Sequence, residues 1–254
     1  MIPINNIIYP FIITLVAGLS TILGSLIIFF NIKHSKINKF ITICLSFTIS
    51  IMIGISITDL IPNSFNILNN YYNLFNILII FIISFLIAFI IIKQLNILIN
   101  KKLTNSSLYR LGILNMLVLI IHNLPEGIAT FMSSYYDINL GIKLSIAIML
   151  HNIPEGIGIS VPIYYSSNNK LKAIKATIYS AVAEPIGALL SFLLFKNYIN
   201  NIFISIILII VGCIMITLSI EQILPKTKKY KENNSMILGL VIGTIVVIIN
   251  VLMQ

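Results

Sequence analysis

Eight apolar stretches, each about twenty residues long, govern what this chain can fold into. They lie at about 7–30, 40–62, 74–92, 111–133, 140–165, 171–195, 202–224 and 236–253. A helix crossing ~30 Å of hydrocarbon needs about 20 mostly apolar residues. Within lipid, only helices and closed barrels satisfy every backbone polar group. The runs are continuous and show no period-two alternation, which excludes a barrel. The sequence therefore predicts an all-α integral membrane protein with eight transmembrane helices, as a single domain over 1–254. Only 9% of the residues are charged, against about 25% in a soluble domain, so there is too little polar surface to cover a globule in water.

The net charge of +9 reports topology. Loops 31–39, 93–110, 166–175 and 225–235 carry 14 of the 16 basic residues. Clustering in alternate loops is the pattern of the positive-inside rule, and it argues against a nucleic-acid partner. It predicts a multi-pass protein of the cell (cytoplasmic or inner) membrane, in contact with membrane lipid, with both termini on the outer side. Lys196 alone occupies a loop of the opposite face, and Lys143 lies just inside the fifth stretch. No Lys or Arg precedes Lys33, so the first stretch lacks the basic start of a signal peptide and reads as a retained helix. Cys44 and Cys213 fall inside apolar runs, where they serve as small packing side chains and cannot form a disulfide framework or thiolate cluster.

Ionisable residues inside such stretches cost about 2.5–3.5 kcal/mol each on insertion scales and are usually functional. Five of the seven acids, Asp59, Glu126, Glu155, Glu184 and Glu221, fall within the spans, as do His122 and His151. His122 and His151 each lie 11 residues after the start of their stretch, or ~16 Å along a helix, near the bilayer midplane. Glu184 is 13 residues into the sixth stretch, at a similar depth.

Residues 122–127 read His-Asn-Leu-Pro-Glu-Gly and residues 151–156 read His-Asn-Ile-Pro-Glu-Gly. His and Glu, four apart, share a helix face, with Asn on its flank. Pro125 frees the carbonyl of Ile121 and Pro154 that of Leu150. Gly127 and Gly156 permit close helix approach. Imidazole, carboxylate and amide oxygen, twice over, make a nitrogen and oxygen donor set suited to zinc, iron(II), manganese or cobalt rather than copper(I). One His–Glu pair alone could be a buried hydrogen bond. Two copies at matched depth, with a third carboxylate beside them, point to divalent metal ions as the partner, which would neutralise the carboxylates and displace their protons.

These motifs resemble those of the ZIP (Zrt-/Irt-like) metal transporters, closest to the bacterial zinc-uptake branch. His-Asn-Leu-Pro-Glu-Gly-Ile-Ala-Thr-Phe at 122–131 is similar to that branch's fourth helix, and Ala-Glu-Pro-Ile-Gly-Ala at 183–188 to the family's sixth. The resemblance implies uptake of zinc toward the cytoplasm, with iron(II), manganese, cobalt or cadmium as further substrates and no resident cofactor. It implies two adjacent metal positions: one from His122, Glu126, His151 and Glu155, the other from Asn123, Glu126, Asn152, Glu155 and Glu184, bridged by Glu126 and Glu155. Many eukaryotic relatives carry a histidine-rich loop between the third and fourth spans. Loop 93–110 has no histidine here, so no metal-sensing role is expected of it.

An internal repeat adds a path to the site. Residues 51–62 and 214–225 agree at six of twelve positions at a constant offset of 163, sharing Met, Ser and Pro. They end the second and seventh spans, which run in opposite directions. This is the signature of an inverted repeat of helices 1–3 and 6–8 around a central pair, a 3+2+3 arrangement with the site at the repeat interface. Asp59 is then expected near the outer mouth, and Glu221 with Gln222 near the inner one. His34 reads as a solvated loop residue.

Two other classes stay in view. An intramembrane metal-dependent protease would need His-Glu-x-x-His, and a di-iron enzyme Glu-x-x-His; the spacing here is neither. A receptor stapled by a closed metal site differs from a transporter only in passing no flux. Oligomeric state is open between monomer and homodimer.

Overall fold

A computed structural model describes residues 5–195 and 201–253; Lys196 lies outside them. Among the described residues there is no strand, and eight helices are long and apolar enough to span a membrane. They are α1 (Ile7–Phe29), α2 (His34–Leu68), α3 (Leu74–Lys102), α4 (Ser107–Tyr135), α5 (Gly141–Ser167), α6 (Lys170–Leu193), α7 (Ile202–Lys228) and α8 (Asn233–Leu252). Asparagine and serine caps open three of them. Asn73 accepts from the Asn76 N–H, Ser106 from that of Tyr109, and Asn169 from that of Lys172, each occupying a donor the first turn leaves unpaired.

Several helices outrun the apolar stretches that announce them. α3 continues through Lys93, Gln94 and Asn96 to Lys102, a length of about 43 Å. No breaker interrupts it, so its polar end extends beyond a hydrocarbon layer of ~30 Å. α2 passes Pro62 and ends only at Leu68. A π-helical turn at Ser56–Leu60 precedes that proline, and the wider turn accommodates the missing N–H without ending the helix. α7 repeats the device, with a π-helical turn at Ser219–Ile223 just before Pro225.

The helices fall into two groups of four. α5 packs against α1 and α4, while α6 packs against α4 and α1. In the second group α2 packs against α8, α3 against α7, and α7 against α2. The groups meet chiefly where α2 crosses α5 and α4 crosses α7. The second group is held mainly by aliphatic side chains such as Leu45, Ile49, Met52, Ile209, Met215 and Leu218, all buried. Large apolar residues that stay exposed, such as Phe75, Ile82 and Leu252, suit a surface solvated by lipid.

Glycines set the spacing of the first group. A Cβ on Gly127 would run into the Glu184 carbonyl, and one on Gly156 into the Thr21 carbonyl. The partner helices answer with their own glycines: Gly187 lies against the Leu124 carbonyl and Gly24 against that of Ile153.

Candidate metal centre

Both motifs sit midway along helices that remain continuous through Pro125 and Pro154. Buried polar groups from neighbouring helices tend the carbonyls around the breaks. Thr48 Oγ1 lies 3.2 Å from the Pro154 carbonyl oxygen and 3.0 Å from that of Cys44. Pro162, in the same helix, leaves the Gly158 carbonyl without its helical donor, and Asn115 Nδ2 donates to it at 2.8 Å.

The four-residue spacing of His and Glu brings the two motifs face to face. His122 Nε2 lies 3.2 Å from Glu126 Oε1 and 3.2 Å from Glu155 Oε1, while His151 Nε2 lies 3.1 Å from Glu126 Oε1. The two imidazole centroids are 6.3 Å apart. Donor atoms of His122, His151 and Glu155 all fall within 4.8 Å of one another, close enough to hold one metal ion. All four residues are at most 2% exposed.

The flanking asparagines are oriented by α1 and α6. Asn123 Nδ2 donates to the Ser180 carbonyl at 3.2 Å. Asn152 Nδ2 donates to the Ala17 carbonyl at 3.0 Å and to Glu184 Oε1 at 2.5 Å. With the amide hydrogens so engaged, both Oδ1 atoms are buried and have no hydrogen-bond partner among the described residues. The same holds for Glu126 Oε2, Glu155 Oε2, Glu184 Oε2 and the Nδ1 of each histidine. Buried polar atoms are almost always paired. A cluster of lone pairs left open this way matches the donor set of a divalent cation. Glu184 joins from α6, where Pro185 breaks the helix at Val182 and Glu184 lies in the first turn of the next segment, Ala183–Leu190.

Asp59 stands apart from this cluster but shares a cavity with it. A space of about 680 Å³ is lined by Asp59, Asn63, Glu126, Met132, Ser133 and His151, among others. Asn63 Nδ2 donates to Asp59 Oδ1 at 2.5 Å. Glu221 and Gln222 lie elsewhere, in a smaller cavity of about 200 Å³ with Phe89, Ile92, Lys93 and Asn96, which holds no residue of the central cluster. His34 is exposed at the start of α2. Ala17, Ser180 and Asn63 carry no sequence signal that separates them from ordinary helix residues. Only the assembled bundle brings Ala17 and Ser180 against the motif asparagines.

A helical membrane protein that buries two imidazoles and three carboxylates halfway along its most polar helices is a metal-handling membrane protein. Comparison with known proteins narrows the class. Residues 101–250 match the family model described as "ZIP Zinc transporter". The chain is 34% identical over 278 residues to "Zinc transporter ZupT" of Clostridium perfringens, covering 98% of this chain and 97% of the relative. It is 35% identical over 267 residues to the protein of that name from Lysinibacillus sphaericus, covering 98% of each, and 30% identical over 275 residues to that of Campylobacter jejuni, covering 94% of each. The chain belongs to the ZIP family; it is a transporter rather than an enzyme.

Proposed function

We propose that this chain carries zinc across the cell membrane toward the cytoplasm, and that iron(II), manganese, cobalt and cadmium can use the same route. The observation that carries the reading is the set of unpartnered donor atoms of His122, Asn123, Glu126, His151, Asn152, Glu155 and Glu184, buried together at mid-helix. The relatives named as zinc transporters support zinc as the main cargo. The ion occupies a first position between His122, Glu126, His151 and Glu155. A second position lies between Asn123, Glu126, Asn152, Glu155 and Glu184, with Glu126 and Glu155 shared.

A metal held permanently usually has its histidines fixed through the second ring nitrogen. Neither Nδ1 here has such a partner among the described residues, which favours a passing ion over a structural staple. Binding must strip the ion's water and still release it.

The whole chain works as one transmembrane unit. The matched π-helical turns before Pro62 and Pro225 support the 3+2+3 inverted repeat. Asp59 lines the cavity that reaches Glu126 and His151, and it serves as the outer mouth. Glu221 and Gln222 serve the inner end of the path. The lysine pattern puts both termini outside. Cysteines at exposed Asn69 and Asn233, each in a Cys-free background, should then label from opposite sides, outside and inside respectively. Equal access to an impermeant reagent from outside would overturn the orientation.

Zinc flux into proteoliposomes made with the purified chain tests the function. Wild type should load the vesicles, while Glu126→Ala and Glu155→Ala, inserted normally, should not. Tight zinc binding by wild type without flux above that of empty vesicles would mark a metal-stapled protein instead.

A further inference from the structure

A buried helical hydroxyl has a default partner, the carbonyl three or four residues before it. Most buried hydroxyls of this chain use it. On α1, Thr14 donates to the Pro10 carbonyl, Ser20 to that of Ala17 and Ser25 to that of Ile22. Thr21 does not. It is fully buried, and its Oγ1 has no hydrogen-bond partner. The carbonyl four residues back is that of Ala17, which already accepts the Ser20 hydroxyl at 2.6 Å and the Asn152 amide at 3.0 Å. The side chains of Ser20 and Asn152 thus crowd that carbonyl, and the Thr21 hydroxyl is left unpaired beside the motif asparagine's anchor point.

The internal symmetry of the bundle says where that hydroxyl belongs. Asn152 donates to Ala17 on α1, and Asn123, at the same position of the other motif, donates to Ser180 on α6. Gly24 meets the Ile153 carbonyl, and Gly187 meets that of Leu124, the matching motif position. Gly156 meets the Thr21 carbonyl, and Gly127 meets that of Glu184. In each case the residue on α6 follows its counterpart on α1 by 163 positions, the same offset that relates the π-helical turns of α2 and α7. Thr21 is therefore the counterpart of Glu184. Glu184 reaches across to Asn152 on α5. The two-fold relation turns Thr21 toward Asn123 on α4, whose Oδ1 is also unpartnered.

We propose that the Thr21 hydroxyl is the sixth oxygen donor of the second metal position, facing Glu184 across it. This rests on the two-position reading above. Asn123, Asn152, Glu126, Glu155 and Glu184 supply five oxygens, and Thr21 makes an oxygen-only set of six. Six oxygens suit octahedral, oxygen-preferring ions such as manganese. The first position, with its two imidazoles, suits zinc. Thr21 thus tunes which ion the second position holds. Because its hydroxyl is neutral, all the charge beyond the shared glutamates comes from the α6 side.

The test is Mn²⁺ and Zn²⁺ binding to the purified full chain in lipid nanodiscs, for wild type, Thr21→Val and Thr21→Ser. Valine keeps the shape and removes the hydroxyl; serine keeps the hydroxyl. Thr21→Val should weaken Mn²⁺ binding by about fivefold or more, as expected for loss of one neutral donor. Zn²⁺ at the first position should stay within about twofold, and Thr21→Ser should resemble wild type. Three results would overturn the assignment: wild type binding no Mn²⁺, Thr21→Val binding it as wild type does, or Thr21→Ser losing as much as Thr21→Val, which would mark a packing role. Glu126→Ala and Glu155→Ala separate this inference from its parent. If they keep both ions, the metal centre itself is misread. If they lose both while Thr21→Val loses neither, only the role of Thr21 falls.

Discussion

The two groups of four helices bury different kinds of side chain. In α1, α4, α5 and α6 the buried polar residues include His122, His151, Glu126, Glu155, Glu184, Asn115, Asn123 and Asn152. In α2, α3, α7 and α8 they are hydroxyls such as Thr42, Ser84, Thr217 and Thr227, which donate to carbonyls of their own helices, together with Asn250 in α8. The first group thus concentrates unpartnered imidazole, carboxylate and amide groups, while many hydroxyls of the second donate within their own helices, and of its buried polar side chains only Ser64 and Asn250 are left unpartnered among the described residues. Under the proposed function, a metal ion supplies the missing partner of the first group. Glycines do not follow the difference: in the second group Gly239 and Gly243 of α8 lie against the Ile43 and Phe47 carbonyls of α2, as Gly127 and Gly156 lie against carbonyls in the first.

Removing a donor from the first group should break this contrast most severely. His122→Ala, Glu126→Ala and Glu155→Ala are each expected to cut zinc uptake about a hundredfold, the upper end of what loss of a metal-site group costs, with normal membrane insertion. His34→Ala should transport like wild type. Uptake into proteoliposomes measures both, and near-normal flux in the Glu126 and Glu155 variants would remove the metal centre from the path.

Added volume should have the next largest effect where a glycine meets a neighbouring backbone. Gly127→Ala and Gly156→Ala drive a methyl into the backbone carbonyl of a neighbouring helix and should lower stability by about 1–3 kcal/mol or more. Gly212→Ala in α7 meets no backbone atom at close range, its nearest neighbour being the flexible Ile61 side chain 3.1 Å away, and should be nearly neutral. Thermal unfolding in detergent gives the ranking; equal losses at all three positions would remove backbone contact as its cause.

A smaller effect is expected at the mouths. Asp59→Ala should raise the apparent KM for uptake about threefold through lost attraction of the cation, leaving the maximal rate intact. Glu221→Ala should instead lower the maximal rate. If neither variant moves either parameter, these acids only anchor helix ends.

The smallest effect is expected within the second group. Thr217→Val removes a hydroxyl that donates to its own helix at 2.8 Å. The change should cost about 0.6 kcal/mol, the average for a polar contact inside a membrane bundle, and leave flux unchanged. A loss of transport there would mean that the second group takes part in the chemistry.

The sequence by itself determined the eight membrane-spanning helices, because hydrocarbon admits few other solutions and the apolar runs have the required length. It also singled out His122, Glu126, His151, Glu155 and Glu184, since ionisable groups at midplane depth are costly unless used. Helix ends were less legible. α2 and α3 extend past Pro62 and Lys93 because a π-helical turn and an unbroken polar tail allow it, and neither feature registers in hydropathy. Tertiary structure alone decided which helices stand together and how the donors face. That the Asn123 and Asn152 oxygens are free depends on carbonyls of Ser180 and Ala17, and any residue can offer a carbonyl. Asn152 finds its carbonyl on a helix 135 residues away in sequence. Long-range hydrogen bonds of this kind leave no trace in composition or periodicity, because they are made by backbone atoms every residue shares.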